Sequence, residues 1–298
     1  MQSGIVFIVG GGTMGRGIAG LCAVSGFQTR VFESDATARE KLRPAIEDSW
    51  KRAALAGKLD PGRLEEARAR LSIASGLEEA ADADLAVEAV PESLEVKQAV
   101  FRDLDRFCPQ PAVLASNTSS LSIGSLARST GRPDRVIGIH FFNPVAVMPL
   151  VEIVRSAETS GQTEEKAAAF VAALGKRAIR VSDSPGFATS RLGLALGLEA
   201  MRMVEEGVAG VEDVDAAMEL GYGHRMGPLK TSDLVGLDVR LAIAETLASR
   251  LNEERFRPPE ILRRLVGRGE TGKKSGRGFY SWDGDGPAAR DVTGRGPR

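Results

Sequence analysis

A pentapeptide near the middle of the chain combines residue types that could move a proton. His140-Phe141-Phe142-Asn143-Pro144 contains one of only two histidines and one of three asparagines. Glu152 follows twelve residues after the histidine. Histidine is the side chain whose unperturbed pKa suits proton transfer near neutral pH. The combination therefore predicts a catalytic site.

A second polar cluster, Ser116-Asn117-Thr118-Ser119-Ser120, lies just upstream of the pentapeptide. Both clusters follow apolar runs, so we expect them where two strands end. Simpler interpretations stay open at this point. Ser, Thr and Asn clusters usually form turns and helix caps, a histidine after an apolar strand is often structural, and Glu152 could point to water from its strand.

The elements that must position these residues differ between the two halves of the chain. Up to about residue 183, short β-branched runs alternate with segments of helical spacing, which is typical of a doubly wound α/β sheet. The expected strands are Ile5–Val9, Thr29–Phe32, Leu85–Val90, Ala112–Ala115, Val136–Phe141, Val151–Val154 and Ala178–Val181. The expected helices are Met14–Val24, Ala36–Leu55, Ser93–Phe107 and Thr163–Leu174.

Beyond residue 184 the strand signal is lost and only helical patterns remain. Ser184 and Pro185 suit the N-cap and first position of a long helix. The expected helices are Phe187–Glu206, Val211–Glu219, Asp233–Leu251 and Pro259–Val266. The sequence thus predicts a sheet domain over 1–183, a smaller all-α domain over 184–283, and a flexible tail over 284–298 that is rich in Gly, Pro, Arg and Asp.

A glycine-rich run, Gly10-Gly11-Gly12-Thr13-Met14-Gly15, fits the G-x-G-x-x-G pattern. The pattern alone is weak, but this copy directly follows a predicted strand and opens a predicted helix. Gly10 would make the tight turn, Gly12 would let the backbone approach a pyrophosphate, and Gly15 would allow close helix packing. The first domain is therefore expected to be a Rossmann-type domain that binds a dinucleotide, with a purely structural turn as the alternative.

The preferred dinucleotide depends on the acid at the end of the second strand. Glu33 occupies that position, where a carboxylate would bind the ribose hydroxyls and repel a 2′-phosphate. NAD is therefore favoured over NADP. Asp35 is the rival acid, but it lies beyond the predicted strand.

Composition excludes several other classes of protein. The 298 residues are 43% hydrophobic with a formal net charge of −1 and no basic run, so a nucleic-acid partner is not expected. No apolar run is long enough to span a membrane, and the amino terminus lacks a signal core, so we expect a cytoplasmic protein. Cys22 and Cys108 match no metal-binding spacing, and no metal is expected.

In motifs and their order, residues 4 to about 282 resemble the 3-hydroxyacyl-CoA dehydrogenases, most of all the branch of single-function 3-hydroxybutyryl-CoA dehydrogenases. The resemblance includes the glycine fingerprint, both polar clusters and three further segments. These segments are Ser184-Pro185-Gly186-Phe187, Met226-Gly227-Pro228 and Gly272–Tyr280. The family oxidises L-3-hydroxyacyl-CoA to 3-oxoacyl-CoA by reversible hydride transfer to NAD.

The resemblance implies roles for several residues in and near the two polar clusters. His140 would be the general base that takes the proton of the 3-hydroxyl, and Glu152 would orient and stabilise its imidazole. Ser119 would hydrogen-bond the substrate oxygen. The residues expected near the cofactor are Glu92, Lys97, Asn117, Asn143 and Lys274. Glu92 and Lys97 could otherwise be an exposed helix-start acid and a solvated lysine.

Two further implications concern coenzyme A and the oligomer. In the family, coenzyme A lies against the helical hairpin after the second strand, although a solvated charged face is an equal alternative here. The candidates are Ser49, Lys51, Arg52 and Lys58. The helical domain would also pair two subunits as a homodimer. Apolar residues suited to that contact are Leu192, Leu196 and Met203.

One residue departs from the family pattern. The motif P-G-F-x-x-N-R ends here in Ser190-Arg191, so a hydroxyl replaces an asparagine that normally lines the active site. A hydroxyl keeps hydrogen bonding but loses reach and one donor, which leaves the acyl-chain preference open. Two other functions also remain open: oxidation of a sugar acid such as gulonate, and non-catalytic dinucleotide binding.

Overall fold

The computed structural model describes residues 4–284 and 286–293. The chain divides into two compact units between Phe187 and Ala188. In the part of the chain that the structure describes, no helix is long and apolar enough to cross a membrane.

The first unit is an eight-stranded sheet with the order β3-β2-β1-β4-β5-β6-β7-β8. Its strands are β1 (Ile5–Val9), β2 (Gln28–Phe32), β3 (Leu71–Ala74), β4 (Leu85–Glu88), β5 (Val113–Ser116), β6 (Val136–Phe141), β7 (Leu150–Arg155) and β8 (Arg177–Ser182). All neighbouring strands are parallel except β6 and β7, which are antiparallel. The carboxyl ends of β4, β5 and β6 consequently meet at one edge of the sheet.

Helices cover both faces of this sheet. They are α1 (Thr13–Val24), α2 (Ala36–Glu40), α3 (Leu42–Leu55), α4 (Leu64–Arg70), α5 (Leu94–Phe107), α6 (Ile123–Ala127) and α7 (Gly161–Ala173). Strand β1 shows why two layers form: Val6 and Ile8 pack into one apolar cluster, whereas Phe7 and Val9 pack into another. Alternate residues of a strand face opposite sides, so a strand that is apolar throughout requires cover on both. The predicted doubly wound class is confirmed.

The largest differences from the expected elements lie between β2 and β4. Strand β3 and helix α4 were not predicted, and the single helix expected over Ala36–Leu55 is two helices separated at Lys41. Strand β3 is short and pairs only with β2 at the edge of the sheet. A four-residue edge strand carries too little apolar periodicity to be recognised without its neighbour.

The second unit consists of α8 (Thr189–Glu206), α9 (Val211–Tyr222), α10 (Pro228–Val235), α11 (Leu237–Leu251), α12 (Glu260–Gly267) and a short hairpin of β9 (Tyr280–Ser281) with β10 (Ala288–Ala289). Its core contains Leu198, Leu229, Leu237, Leu247 and Leu262. Gly236, with φ at +103°, divides the helix that was expected to run from Asp233 to Leu251.

The expected N-cap at Ser184 is wrong. Residues 184–187 form a turn in which the Phe187 N–H donates to the Ser184 carbonyl oxygen at 2.9 Å, and α8 begins only at Thr189. Gly186 and Phe187 have φ angles of +75° and +46°. A helix cannot propagate through two left-handed residues, so the helix begins after them.

The expectation of a flexible tail from Gly284 is wrong for residues 286–293, while 285 and 294–298 lie outside the described residues. Strand β10 pairs with β9, and the Arg290 N–H donates to the Phe279 carbonyl oxygen at 3.0 Å. The Arg290 guanidinium also reaches Glu270 at 3.0 Å, and Val292 packs into the core of the second unit. Composition alone missed these contacts because it does not show which residues pair with one another.

Candidate active site

The turn between β1 and α1 has a backbone that only glycine allows. Gly10 has φ at +106°, and a Cβ there would lie 2.6 Å from the Ala89 carbonyl oxygen. A Cβ on Gly15 would lie 1.9 Å from the Gly10 carbonyl oxygen. By contrast, no heavy atom lies within 4 Å of the Cβ position at Gly12, where α1 begins. The open helix N-terminus can therefore be approached by an anion such as a pyrophosphate.

A cavity of about 610 Å³ lies against this turn. Gly10, Gly12, Thr13, Met14 and Glu33 line one part of its wall, and apolar residues such as Leu77, Val90, Pro91, Val96 and Val100 line another. An apolar slot beside open backbone N–H groups and a carboxylate matches what adenine, pyrophosphate and ribose require of a protein. The residues present therefore fit the adenosine half of NAD.

Glu33 is held in place by the same turn. Its Oε2 accepts from the Gly11 N–H at 2.8 Å, and its Oε1 accepts from the Asp35 N–H at 3.1 Å. Burial by itself would raise the pKa of Glu33, but these hydrogen bonds outweigh it and lower the pKa below its usual value. The carboxylate is therefore ionised at neutral pH and faces the cavity.

Asp35, the rival acid, has a local role. Its Oδ1 accepts from the Ala38 N–H at 2.7 Å and caps the amino terminus of α2. The cap uses the carboxylate that would otherwise be free to bind ribose.

A second cavity, of about 340 Å³, shares Met14, Ala89 and Val90 with the first. The other residues that line it are Glu92, Lys97, Asn117, Ser119, His140, Phe141, Phe142 and Asn143. Because the walls are shared, a dinucleotide that extends from the first cavity would reach this polar one. The structure thus brings together both polar clusters of the sequence at the carboxyl ends of β4, β5 and β6.

His140 and Glu152 are directly opposite each other in the antiparallel pair β6 and β7. The Nδ1 of His140 lies 2.8 Å from Oε2 of Glu152. Glu152 is 0% exposed and His140 is 7% exposed, so the alternative that Glu152 points to water is wrong. With Nδ1–H donating to the carboxylate, the neutral imidazole keeps its lone pair on Nε2. The arrangement can accept a proton and stabilise the resulting imidazolium.

Ser119 belongs to a hydrogen-bonded loop around Glu92. Oε1 of Glu92 accepts from the Thr118 hydroxyl at 2.5 Å, from the Ser119 N–H at 3.1 Å and from the Ser120 hydroxyl at 3.0 Å. Burial tends to raise the pKa of Glu92, but the Thr118 hydroxyl and the Lys97 ammonium lower it overall. The alternative of a solvated Lys97 is wrong, because this lysine is 1% exposed.

Sequence reasoning missed one charged residue beside this cavity, Glu88. It ends β4 and forms an ion pair with Lys97 at 2.5 Å. The available signal was a carboxylate inside an otherwise apolar strand, which is rare unless the carboxylate has a partner. Asn117, another residue beside the cavity, accepts from the Phe141 N–H through its Oδ1 at 2.9 Å, so one side of its amide joins the ends of β5 and β6.

Other residues chosen from the sequence lie away from the two cavities or in the second unit. Ser49 and Lys58 are exposed on α3 and just beyond it, and neither lines a cavity described above. Ser190 lies in the first turn of α8. Lys274 forms an ion pair with Asp238 at 2.6 Å.

Comparison with known proteins decides the family. The model of the 3-hydroxyacyl-CoA dehydrogenase NAD-binding domain matches residues 5–184, and that of the C-terminal domain of the same family matches residues 186–282. The chain belongs to the 3-hydroxyacyl-CoA dehydrogenase family. The activity class, an NAD-dependent oxidoreductase that acts on 3-hydroxyacyl-CoA, is thereby confirmed, as is the expected cofactor.

Individual relatives extend over nearly the whole chain. A 3-hydroxybutyryl-CoA dehydrogenase of Mycobacterium tuberculosis is 45% identical over 93% of this chain and 98% of its own length. The crystal structure of an (S)-3-hydroxybutyryl-CoA dehydrogenase from Ralstonia eutropha superposes with a TM-score of 0.90, at 38% identity, and covers 94% of this chain and 99% of that one. The resemblance stated from the motifs is confirmed.

Proposed function

We propose that this 3-hydroxyacyl-CoA dehydrogenase acts on short-chain substrates, 3-hydroxybutyryl-CoA first, with His140 as the general base and acid. The observation that carries the proposal is the 2.8 Å contact between His140 and the fully buried Glu152, beside a cavity that shares three lining residues with the dinucleotide cavity. The names of the relatives described above support the short chain.

NAD supplies the hydride acceptor when it is bound across the two cavities. Gly10, Gly12, Thr13, Met14 and Gly15 form the turn that would hold its pyrophosphate. Glu33 would bind the adenosine ribose. The polar wall of the second cavity would surround the nicotinamide, and its proposed contacts are Glu92, Lys97, Asn117 and Asn143. Lys274 of the second unit remains a proposed cofactor contact from the family resemblance.

His140 would remove the proton of the 3-hydroxyl through Nε2 as the C3–H bond breaks. The ring of His140, which is buried, then carries a positive charge, and a buried cation without a partner would be strongly disfavoured. The Glu152 carboxylate at Nδ1 offsets this cost and fixes the tautomer, as carboxylates do for catalytic histidines in general. The Phe142 ring packs against the imidazole in a tilted arrangement, with the two ring centroids 4.6 Å apart.

Ser119 would donate a hydrogen bond to the substrate oxygen and so limit its motion during proton transfer. Its hydroxyl lies 3.4 Å from Oε1 of Glu92 and lines the same cavity as His140. The position suits a group that must contact substrate, because the serine is exposed while the loop beneath it is hydrogen-bonded. Ser190 is a proposed second contact, taking the place of the family's asparagine.

The remaining proposals concern coenzyme A, assembly and location. Exposed polar groups on the α3 side of the first unit, Ser49 and Lys58, are candidates to bind coenzyme A, while Lys51 already pairs with Asp48 at 3.3 Å. Leu192 is exposed on α8, and Leu196 and Met203 are half-buried on it, which suits a homodimer contact. We further propose a cytoplasmic role in fatty acid metabolism, where NAD and acyl-CoA thioesters are both available.

The direct test is reduction of acetoacetyl-CoA by the purified protein, followed as loss of NADH absorbance. We expect turnover with NADH, and none with gulonate and NAD as the control reaction. Equal or higher efficiency on an acyl-CoA with a long chain would contradict the proposed substrate, and turnover of gulonate alone would contradict the substrate class.

A further inference from the structure

Glu88 is a fully buried carboxylate that the proposed chemistry does not use. It is 0% exposed. Its Oε1 accepts from the Lys97 ammonium at 2.5 Å and from the Val90 N–H at 2.7 Å, while its Oε2 accepts from the Ser116 hydroxyl at 2.7 Å. A buried ion pair is a poor source of stability, because desolvation offsets most of the attraction between the charges. This suggests that the network sets a geometry.

One arm of the network leads from Glu88 through Lys97 to the substrate side of the cavity. The ammonium of Lys97 lies 3.3 Å from Oε2 of Glu92, and it also donates to the Val90 carbonyl oxygen at 3.1 Å. The other carboxylate oxygen of Glu92 accepts from the Ser119 N–H and from neighbouring hydroxyls. Lys97 therefore fixes one oxygen of Glu92 while the Ser119 loop is tied to the other.

The second arm leads from Glu88 to the other end of the same loop. Oγ of Ser116 donates to Glu88 and accepts from the Thr118 N–H at 3.2 Å. The Thr118 hydroxyl in turn accepts from the Leu121 N–H at 2.9 Å. Both arms thus meet in residues 118–121, and one buried carboxylate holds the loop from two directions.

We infer that Glu88 is a positioning residue for this reaction: through Lys97 and Ser116 it holds the loop that aims the Ser119 hydroxyl at the substrate. The inference depends on the proposed role of Ser119. Glu88 itself lines neither cavity, so it can act on the reacting atoms only through the residues that it contacts. A displacement of a positioning group by about 1 Å can lower a rate by roughly 10²-fold.

A double-mutant cycle between Glu88→Gln and Ser119→Ala tests this. Glutamine keeps the length of the side chain but removes the charge that holds Lys97. In the parent protein we expect Glu88→Gln to lower kcat/KM for acetoacetyl-CoA about tenfold, within the coupling range of contacting groups. In the Ser119→Ala background the same change should cost less than about twofold, because there is no hydroxyl left to aim. NADH affinity, measured by fluorescence titration, should change less than about threefold.

A matched control separates positioning from loss of stability. Asp105 pairs with Arg132, which is itself buried, at 2.6 Å in the same unit and away from both cavities. Asp105→Asn should lower Tm but leave kcat unchanged. If Glu88→Gln does not fold, Ser116→Ala takes its place in the cycle, because it removes only the second arm. We expect Ser116→Ala to lower kcat/KM about threefold in the parent and not in the Ser119→Ala background.

The outcomes distinguish this inference from the proposed function. One outcome is an active parent in which Glu88→Gln and Ser116→Ala each lower kcat/KM by the same factor whether residue 119 is serine or alanine. That result would overturn only the positioning role. Loss confined to NADH affinity would also overturn it and would make Glu88 part of the cofactor site. A parent that is inactive on acetoacetyl-CoA would overturn the proposed function and this inference together.

Discussion

The two cavities of the first unit are built in different ways. One part of the wall of the larger cavity is consecutive backbone around Gly10–Gly15, and its acid, Glu33, accepts from N–H groups of nearby turns. The smaller one is formed where three strands end, and its polar groups bond mainly to side chains from other elements, as His140 does to Glu152. The backbone of one turn thus shapes the larger cavity, the cofactor end of the site, whereas the register of neighbouring strands places the polar groups of the smaller cavity, the catalytic end.

The difference has an energetic consequence. Glu33 lies where solvent can screen its charge, so a substitution there should have a moderate effect on kinetics. Glu152 and Glu88 are fully buried, where an unpaired charge costs far more than at the surface. Substitutions at the catalytic end should therefore have larger effects than those at the cofactor end.

The largest effect is expected at the buried pair. His140→Gln should lower kcat by about 10²–10⁴-fold, the usual contribution of general acid–base catalysis, with NADH affinity nearly unchanged. Glu152→Gln should also be severely impaired, because the imidazolium loses its counter-charge. Stopped-flow reduction of acetoacetyl-CoA and NADH titration measure both quantities. A loss seen only in NADH affinity would instead assign the pair to the cofactor end.

The next effect compares the two serines proposed to contact substrate. Ser119→Ala should lower kcat/KM more than about tenfold, because its loop is held by Glu92. Ser190→Ala should cost less than about tenfold, roughly 1.4 kcal/mol, since a shorter side chain in place of asparagine would work through water. Steady-state kinetics on one acyl-CoA decides the order. A larger loss at Ser190 would mean that it contacts the transition state directly.

A moderate effect is expected at the cofactor end. The parent should use NADH far better than NADPH, because the ionised Glu33 repels a 2′-phosphate. Glu33→Ala should narrow this preference about tenfold, which corresponds to roughly 1.4 kcal/mol of transition-state binding. The ratio of kcat/KM for the two cofactors is the measurement, with Asp35→Asn as the control that should leave the ratio unchanged. Similar efficiency with both cofactors in the parent would contradict the role of Glu33.

The smallest effect is expected at Asp35, which caps α2. Asp35→Ala should lower the free energy of unfolding by about 1 kcal/mol, as loss of an N-cap usually does. Urea denaturation measures this, and kcat should remain at the parent value. A large loss of NADH affinity in Asp35→Ala would show that the rival acid contributes to binding.

The sequence was informative where function depends on short stretches. The glycine turn and Glu33 lie within one β-α-β segment, so their spacing alone predicted the dinucleotide site. His140, Glu152 and Ser119 were found because their types are rare and their motifs match a family, although their mutual distances could not be known. Glu88 was missed, because nothing in its neighbourhood along the chain reveals that Lys97 and Ser116 lie beside it.

The amino-acid sequence by itself thus determined the doubly wound class, the cofactor and the family, since each follows from local periodicity or continuous motifs. Only the tertiary structure decided which buried polar groups contact one another. The antiparallel register of β6 and β7 places Glu152 opposite His140, and β4 beside β5 places Glu88 next to Ser116. The packing of β10 and Val292 in the second unit was likewise visible only in the tertiary structure. Pairing between distant segments depends on the summed burial of the whole core, which no local pattern contains.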